Sequence, residues 1–165
     1  MAAFEVLARR YQNRLYTYAL RMVGKVHEAE DLTQETLLRA FTSLARFDAK
    51  QRFGSWVYGI AAHVCRDALR RRGRRREQPS EAVEDAATEG SPAEDVAAAE
   101  TRERVARAVR RLPTKYREVI VLHYLEAMSY DEVAATLGIR APAARRRALR
   151  AREMLQRYLG GSEEG

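Results

Sequence analysis

Residues 129–155, SYDEVAATLGIRAPAARRRALRAREML, leave a folding chain little choice. Ser129 with Glu132 three positions later forms a capping-box pattern, in which each side chain can satisfy an orphan backbone N–H at a helix start. Val133, Ala134 and Leu137 then supply a short apolar face. Gly138 stands where a helix needs a left-handed residue to stop, and Ile139 can fold back under the turn. Pro142 suits the first turn of a second helix, where a missing N–H costs nothing. Along that helix Ala144, Ala148, Ala151 and Leu155 share one side, with Arg145, Arg146, Arg147, Arg150 and Arg152 around the rest. Two short helices on a tight glycine turn, the second one basic, is the layout of a DNA-binding helix-turn-helix. An αα-hairpin with a solvated arginine face satisfies the same spacing.

Charge favours the first of these. Thirty Lys and Arg oppose twenty-three Asp and Glu, giving +7 over 165 residues, and nearly all the cations are arginine. The planar guanidinium fork matches phosphates and guanine edges, so this excess points to nucleic acid. The single cysteine, Cys65, cannot form an internal disulfide, and it falls in a helical apolar pattern, which fits a reducing compartment. Met1 leads straight into an amphipathic pattern, no signal peptide is visible, and the apolar runs are too short to cross a bilayer. A cytoplasmic protein without membrane insertion is expected.

Taken in order, the chain reads as all-α. Phe4, Leu7, Tyr11, Leu15, Tyr18 and Met22 recur at steps of three and four, giving one stripe of a helix that breaks at Gly24. A second helix, over about 26–44, should bury Leu32, Thr33, Thr36, Leu37, Ala40, Phe41 and Leu44. The same period sets Asp31, Gln34, Glu35 and Leu38 on another side, although the helix dipole also accounts for acids near a helix start. A polar connection over 45–52 precedes a third helix over about 53–72, with Phe53, Val57, Ile60, Val64 and Ala68 as its main stripe. Trp56 reads first as a core anchor. Aromatics beside arginines also suit the stacking of unpaired bases, so Phe47, Phe53, Trp56 and Tyr58 carry a second reading.

From Glu77 to Thr101 there is no Lys or Arg and eight acids occur, with Pro79, Gly90, Ser91 and Pro92 breaking the first half. That composition predicts a flexible anionic tether. Beyond it, Val105, Ala108, Val109 and Leu112 lead to Pro113. Thr114 is placed to cap a helix bearing Tyr116, Val119, Ile120 and His123, with His123 expected to be a packed histidine. Two small helical domains follow from this reading, over 1–76 and 101–159, joined by a linker over 77–100 and ending in a tail over 160–165.

The order of motifs then carries a resemblance. A Tyr-rich helix precedes Asp31-Leu32-Thr33-Gln34-Glu35-Thr36, then Phe53-Gly54-Ser55-Trp56-Val57-Tyr58-Gly59-Ile60-Ala61 with its arginine tail. After the acidic linker come Leu112-Pro113, Tyr116-Arg117 and Ser129-Tyr130-Asp131-Glu132-Val133-Ala134. The chain resembles the extracytoplasmic-function (ECF) group of bacterial RNA polymerase sigma factors, of the sigma-70 family, over nearly its whole length.

The resemblance implies a non-enzymatic promoter-specificity subunit with no cofactor and no metal. Asp31, Gln34, Glu35 and Leu38 would bind the clamp helices of the polymerase β′ subunit. The connection with Phe47, Asp48, Lys50 and Arg52 would capture a flipped base of the minus-ten element. Trp56, His63, Arg66, Asp67, Arg70 and Arg71 would read and hold that element as it opens, against a flipping cost of a few kcal/mol per base. The linker would run through the polymerase's nucleic-acid channels. The helix-turn-helix, with Arg140, Ala143, Arg145, Arg146, Arg147 and Arg150, would enter the minus-thirty-five major groove and abut the β flap. Partners are thus core polymerase, promoter DNA in double- and single-stranded form, and an anti-sigma factor.

Two departures from the family pattern stand out. His63 occupies a position where the family often has Asn. Pro142-Ala143-Ala144-Arg145-Arg146-Arg147-Ala148 replaces a segment that usually carries larger apolar anchors and a threonine cap. At about 0.8 kcal/mol per missing buried methylene and about 1 kcal/mol for a cap, the last helix is expected to be seated less firmly, with its arginines on phosphates more than bases. A stand-alone helix-turn-helix regulator would use only the C-terminal domain. An enzyme lacks a constellation, since His27, His63 and His123 are scattered and Cys65 is alone.

Overall fold

The computed structural model describes residues 2–75 and 95–161. Within them the chain forms seven α-helices: α1 (Ala2–Val23), α2 (Val26–Thr42), α3 (Phe53–Arg75), α4 (Val96–Arg111), α5 (Thr114–Ile120), α6 (Tyr130–Leu137) and α7 (Ala141–Gly160). A 3-10 turn, Leu44–Arg46, follows α2, and a π-helical turn, Val121–Leu125, extends α5. No strand occurs among the described residues, and none of the described helices is long and apolar enough to cross a membrane. Most of the tether predicted from composition lies outside the described residues. Its last five positions, 96–100, belong to the first turns of α4, whose start is capped by Asp95 accepting from the Ala97 N–H at 3.3 Å.

Helices α1, α2 and α3 form the N-terminal bundle. The α1 stripe buries Leu15, Tyr18 and Met22, and Gly24 (φ 75°) turns the chain into α2. Two threonines sit in the α2 core because their hydroxyls donate back along the helix, Thr33 to Ala29 O and Thr36 to Leu32 O, both at 2.7 Å. No donor is left unpaired, so their burial carries little penalty. Phe41, expected in the core, is instead 42% exposed and packs on Phe4 at a ring separation of 5.5 Å.

The C-terminal half is built on a short α5 and a long α7. Thr114 does not cap α5: it is the first helical residue, and the preceding Pro113 occupies the cap position without a side-chain bond. Val105 is 43% exposed, because the buried side of α4 runs through Ala106, Ala108 and Val109. The hairpin forms as its residues dictate. Ser129 Oγ accepts from the Glu132 N–H at 3.1 Å, Gly138 adopts φ 67°, and the Ile139 N–H donates to Ala134 O at 3.0 Å. Only half of the capping box forms, because the Glu132 carboxylate turns outwards to Arg52.

The alanines of helix α7 face inwards. Ala144, Ala148 and Ala151 are all 0% exposed, on a helix that packs against α5 and α6. Such small side chains allow neighbouring backbones to approach closely. Buried residues of the two halves join in one cluster, in which Val57, Tyr58 and Ala61 of α3 are continuous with Leu122, Val133 and Ala134.

Because that seam has no spare volume, Ala148→Leu should destabilise the protein by about 1–3 kcal/mol. Its neighbour Leu149, 53% exposed, should tolerate Ala within about 0.5 kcal/mol. Urea unfolding midpoints of the two variants test the contrast.

Candidate nucleic-acid interface

The residues expected to meet polymerase share the outer side of α2. Asp31, Gln34 and Leu38 are exposed, Leu38 at 63%, and Glu35 is half-buried beside Arg39 at 2.6 Å. An apolar side chain that far out of the core contributes little to folding and is available to a partner. Phe41 extends the same side.

The 47–52 connection is a tight structure and not a slack loop. Asp48 Oδ1 accepts from the Lys50 N–H at 3.0 Å, and Asp48 O accepts from the Gln51 N–H at 2.9 Å, an Asx-type turn that holds the segment in shape. Phe47 is pinned at its base by Phe53 and Trp56, with ring centroids 5.9 and 4.9 Å away. Trp56 itself is half-buried: it packs on the core while keeping an open edge. Phe47, Phe53 and Trp56 thus cluster at one place, whereas the Tyr58 ring is fully buried, which excludes it from stacking on a base.

Along α3 the polar positions His63, Arg66, Asp67 and Arg70 recur at helical spacing. His63 lies 3.5 Å from Asp67, and Arg70 lies 4.0 Å from the same carboxylate. Arg70 and Arg71 are exposed. Arg66 is different. Its Nε donates to Glu118 Oε1 at 2.9 Å, and this hydrogen bond is the first cause of its raised pKa. Arg72, from the same arginine run, is also engaged within the protein, donating to Val23 O and to the Glu28 carboxylate.

On α7, Arg140, Arg145, Arg146 and Arg150 are exposed and Ala143 is half-buried. Arg147 points elsewhere, into a cleft between the two halves that it lines with Arg66, Arg70 and Lys115. A larger open cleft of about 800 Å³ lies between α3 and α6, lined by Arg52, Trp56, His63 and Arg66 on one side and by Asp131, Glu132 and Thr136 on the other. The spacing assigns Glu132 only to its own helix start and gives Glu118 and Glu126 no role, yet these three are acids that the second half turns towards the first. A signal was there: Glu118 directly borders the apolar run Val119 to Leu122, and an acid so close to a core stretch is buried only with a partner. His123 is packed as expected, its Nδ1 2.7 Å from Met128 O and its ring stacked on Tyr130 at 4.1 Å.

Cys65 is buried under this surface. Burial first, then the nearby Glu118, Glu28 and Glu35 carboxylates, push its thiol up to about 12.

Comparisons with known proteins agree on both halves. The family model for sigma-70 region 2 matches residues 7–75, and the model for sigma-70 region 4 matches residues 102–155. The ECF RNA polymerase sigma factor SigW of Bacillus subtilis is 32% identical, over 95% of this chain and 89% of its own. The RNA polymerase sigma factor CarQ of Myxococcus xanthus is 38% identical, over 98% and 91%. Among solved structures, CnrH in complex with the cytosolic domain of CnrY superposes with a TM-score of 0.73 at 29% identity, over 97% of this chain and 89% of that one. The sigma factor RpoE in complex with the anti-sigma factor NepR from Bartonella quintana shares the fold, with a TM-score of 0.81 at 24% identity over 97% and 98%.

In the folded protein Cys65 should resist a thiol reagent at pH 8 and react fully in denaturant, since the thiolate is the reactive form. An unfolded thiol ionises near pH ~8.5, below the folded value, so this group's contribution should lower stability as pH rises from about 8.5 to 12. Labelling kinetics with and without urea, and unfolding midpoints at pH 7 and 10 in wild type and Cys65→Ser, check both statements.

Proposed function

Because the chain belongs to the ECF group of the bacterial RNA polymerase sigma-70 family, we propose that its exposed side chains divide the work of promoter recognition as follows. As a sigma factor it binds core RNA polymerase and directs promoter-specific initiation, without being an enzyme. The α2 side with Asp31, Gln34, Glu35 and Leu38 takes the β′ clamp helices. The 47–52 turn and α3 take the minus-ten element. Phe47 and Trp56 offer stacking surface to extruded bases, while Lys50, Arg52, Arg66, Arg70 and Arg71 hold phosphates, offsetting the cost of unpairing. His63 and Asp67, paired on one side of α3, add hydrogen-bonding groups at the base edges, and Asp48 keeps the turn in shape.

The α6–α7 hairpin takes the minus-thirty-five element, with Arg140, Ala143, Arg145, Arg146, Arg147 and Arg150 at the groove, and abuts the β flap. Arg147 reaches it only once the halves separate, since it now lines the cleft between them. The working units are 1–76 and 101–159, bridged by the acidic stretch 77–100. An anti-sigma factor is the expected inhibitor, as CnrH is seen with the cytosolic domain of CnrY, and the cytoplasm is the expected compartment.

The observation that carries this reading is the placement of two basic surfaces, on α3 and α7, in halves that match regions 2 and 4 in order. A stand-alone regulator is not favoured, because it leaves the whole of residues 7–75 without a role. Run-off transcription of genomic DNA with purified core polymerase, followed by start-site mapping, tests it: discrete new start sites are expected, and none would overturn it.

Two substitutions probe the division of labour. Leu38→Ala should leave stability within about 0.5 kcal/mol and weaken co-purification with core polymerase, whereas undiminished co-purification would remove α2 from that contact. Trp56→Ala should impair initiation from duplex promoters far more than from promoters pre-melted at minus ten. Equal loss on both templates would remove Trp56 from strand opening.

A further inference from the structure

Beside Glu118, between the two halves, lies an open cleft of about 560 Å³ with an excess of positive charge. Arg66 and Arg70 enter it from α3, Lys115 from the first turn of α5 and Arg147 from α7, and Glu118 is the only carboxylate in the lining. That carboxylate is already engaged: its side chain is 1% exposed, and its Oε1 accepts from Arg66 Nε at 2.9 Å. Arg70 has only a 4.0 Å approach to Asp67. Lys115 rests over the Tyr116 ring at 5.0 Å, and neither it nor Arg147 pairs with an acid among the described residues. Lys115 also has no part in the division of labour set out above.

We propose that this cleft binds an oligophosphate, either free or carried by a nucleoside. Cations on a solvated face diverge, whereas these come from elements of different halves and face one space. Leu69, Leu137 and Ile139 line the same space, and low-dielectric walls around charges of one sign focus the field and concentrate anions. Four cations against one carboxylate leave three unmatched. A ligand with about three negative charges therefore neutralises the cleft.

Side-chain chemistry narrows the anion. Three of the four cations are arginines, whose planar forks take phosphate oxygens in pairs. Arg66 and Arg70 are one turn apart, about 6 Å along the helix axis, so a row of phosphates meets them in succession. Glu118 holds Arg66 in place, and a cation fixed beforehand gives up little freedom on binding. The cleft has the size of a small-molecule site, and its apolar wall, with Pro113 beside Leu137 and Ile139, can take the face of a base. The site depends on the packing of the halves and not on any promoter assignment.

The test is isothermal titration calorimetry on the full chain without polymerase, at about 0.15 M salt so that exposed charges are screened. The ligands are inorganic triphosphate, ATP and sulfate. One triphosphate should bind per chain, with sulfate roughly ten-fold weaker or more. Lys115→Ala and Arg147→Ala should each weaken triphosphate binding roughly ten-fold, the equivalent of one charge-assisted hydrogen bond. Arg150→Ala, which removes an exposed cation of α7 outside the cleft, should leave the affinity unchanged. Circular dichroism confirms retained helix, and if one cleft variant loses it the other carries the test. ATP binding tighter than triphosphate assigns the apolar wall to a base, and equal or weaker binding assigns the site to the inorganic anion. The proposal is overturned if neither ligand shows saturable binding, if sulfate matches triphosphate, or if the folded cleft variants lose no more affinity than Arg150→Ala.

Discussion

A carboxylate removed from water persists only where a cation or donors come with it, and Glu118 meets that condition through Arg66, a residue of the other half of the molecule. The packing between the halves is arranged about this pair. Leu69, Leu137 and Ile139 line the cleft beside it, and apolar surroundings strengthen the attraction within. Tyr18 illustrates the cost of so dry a setting. Its hydroxyl is fully buried with no hydrogen-bond partner among the described residues, and burial, with Cys65 and Glu118 nearby, holds the phenol well above its usual range. Hydroxyl and thiol both stay neutral there, leaving Glu118 and Arg66 as the charged pair.

The helices and their ends were largely legible in the sequence, because they depend on neighbours in the chain. The Ser129 cap, the left-handed Gly138 and the proline opening of α7 are local chemistry, and each forms where its residue stands. Two apolar positions were less so: Phe41 and Val105 follow the periodicity but lie outside the contact area, since period alone does not say how far a neighbour reaches. Least legible were the contacts between the halves. Tyr58 and Glu126 are 68 positions apart, Arg66 and Glu118 are 52 apart, and no spacing rule couples such pairs. Glu132 shows the consequence, since a side chain assigned to its own helix start is drawn instead to Arg52.

Arginine proves to serve two ends in this chain, and composition does not separate them. Arg72 and Arg117 spend their donors on backbone carbonyls at helix ends, Arg72 on Val23 O and Arg117 on Met22 O, Arg110 O and Leu112 O. The last carbonyls of a helix lack partners and carry its negative pole, so a forked cation can join two such ends at once. Those arginines act as structural fasteners. The exposed ones on α3 and α7 are the population we propose for nucleic acid, smaller than the net charge alone implies.

The alanine seam of α7 has a bearing on how such a molecule can diversify. Alanine has no side-chain torsion to set, so Ala144, Ala148 and Ala151 dock the first turns of the helix without rotamers to fix, while Met154, Leu155 and Tyr158 pack further along. No side chain at those three positions has to repack when a residue on the outward side is exchanged. The exposed arginines at 145, 146 and 150, which we propose for the DNA groove, can accordingly be exchanged one at a time while the rod beneath them keeps its place, so that the surface can change without a new packing problem.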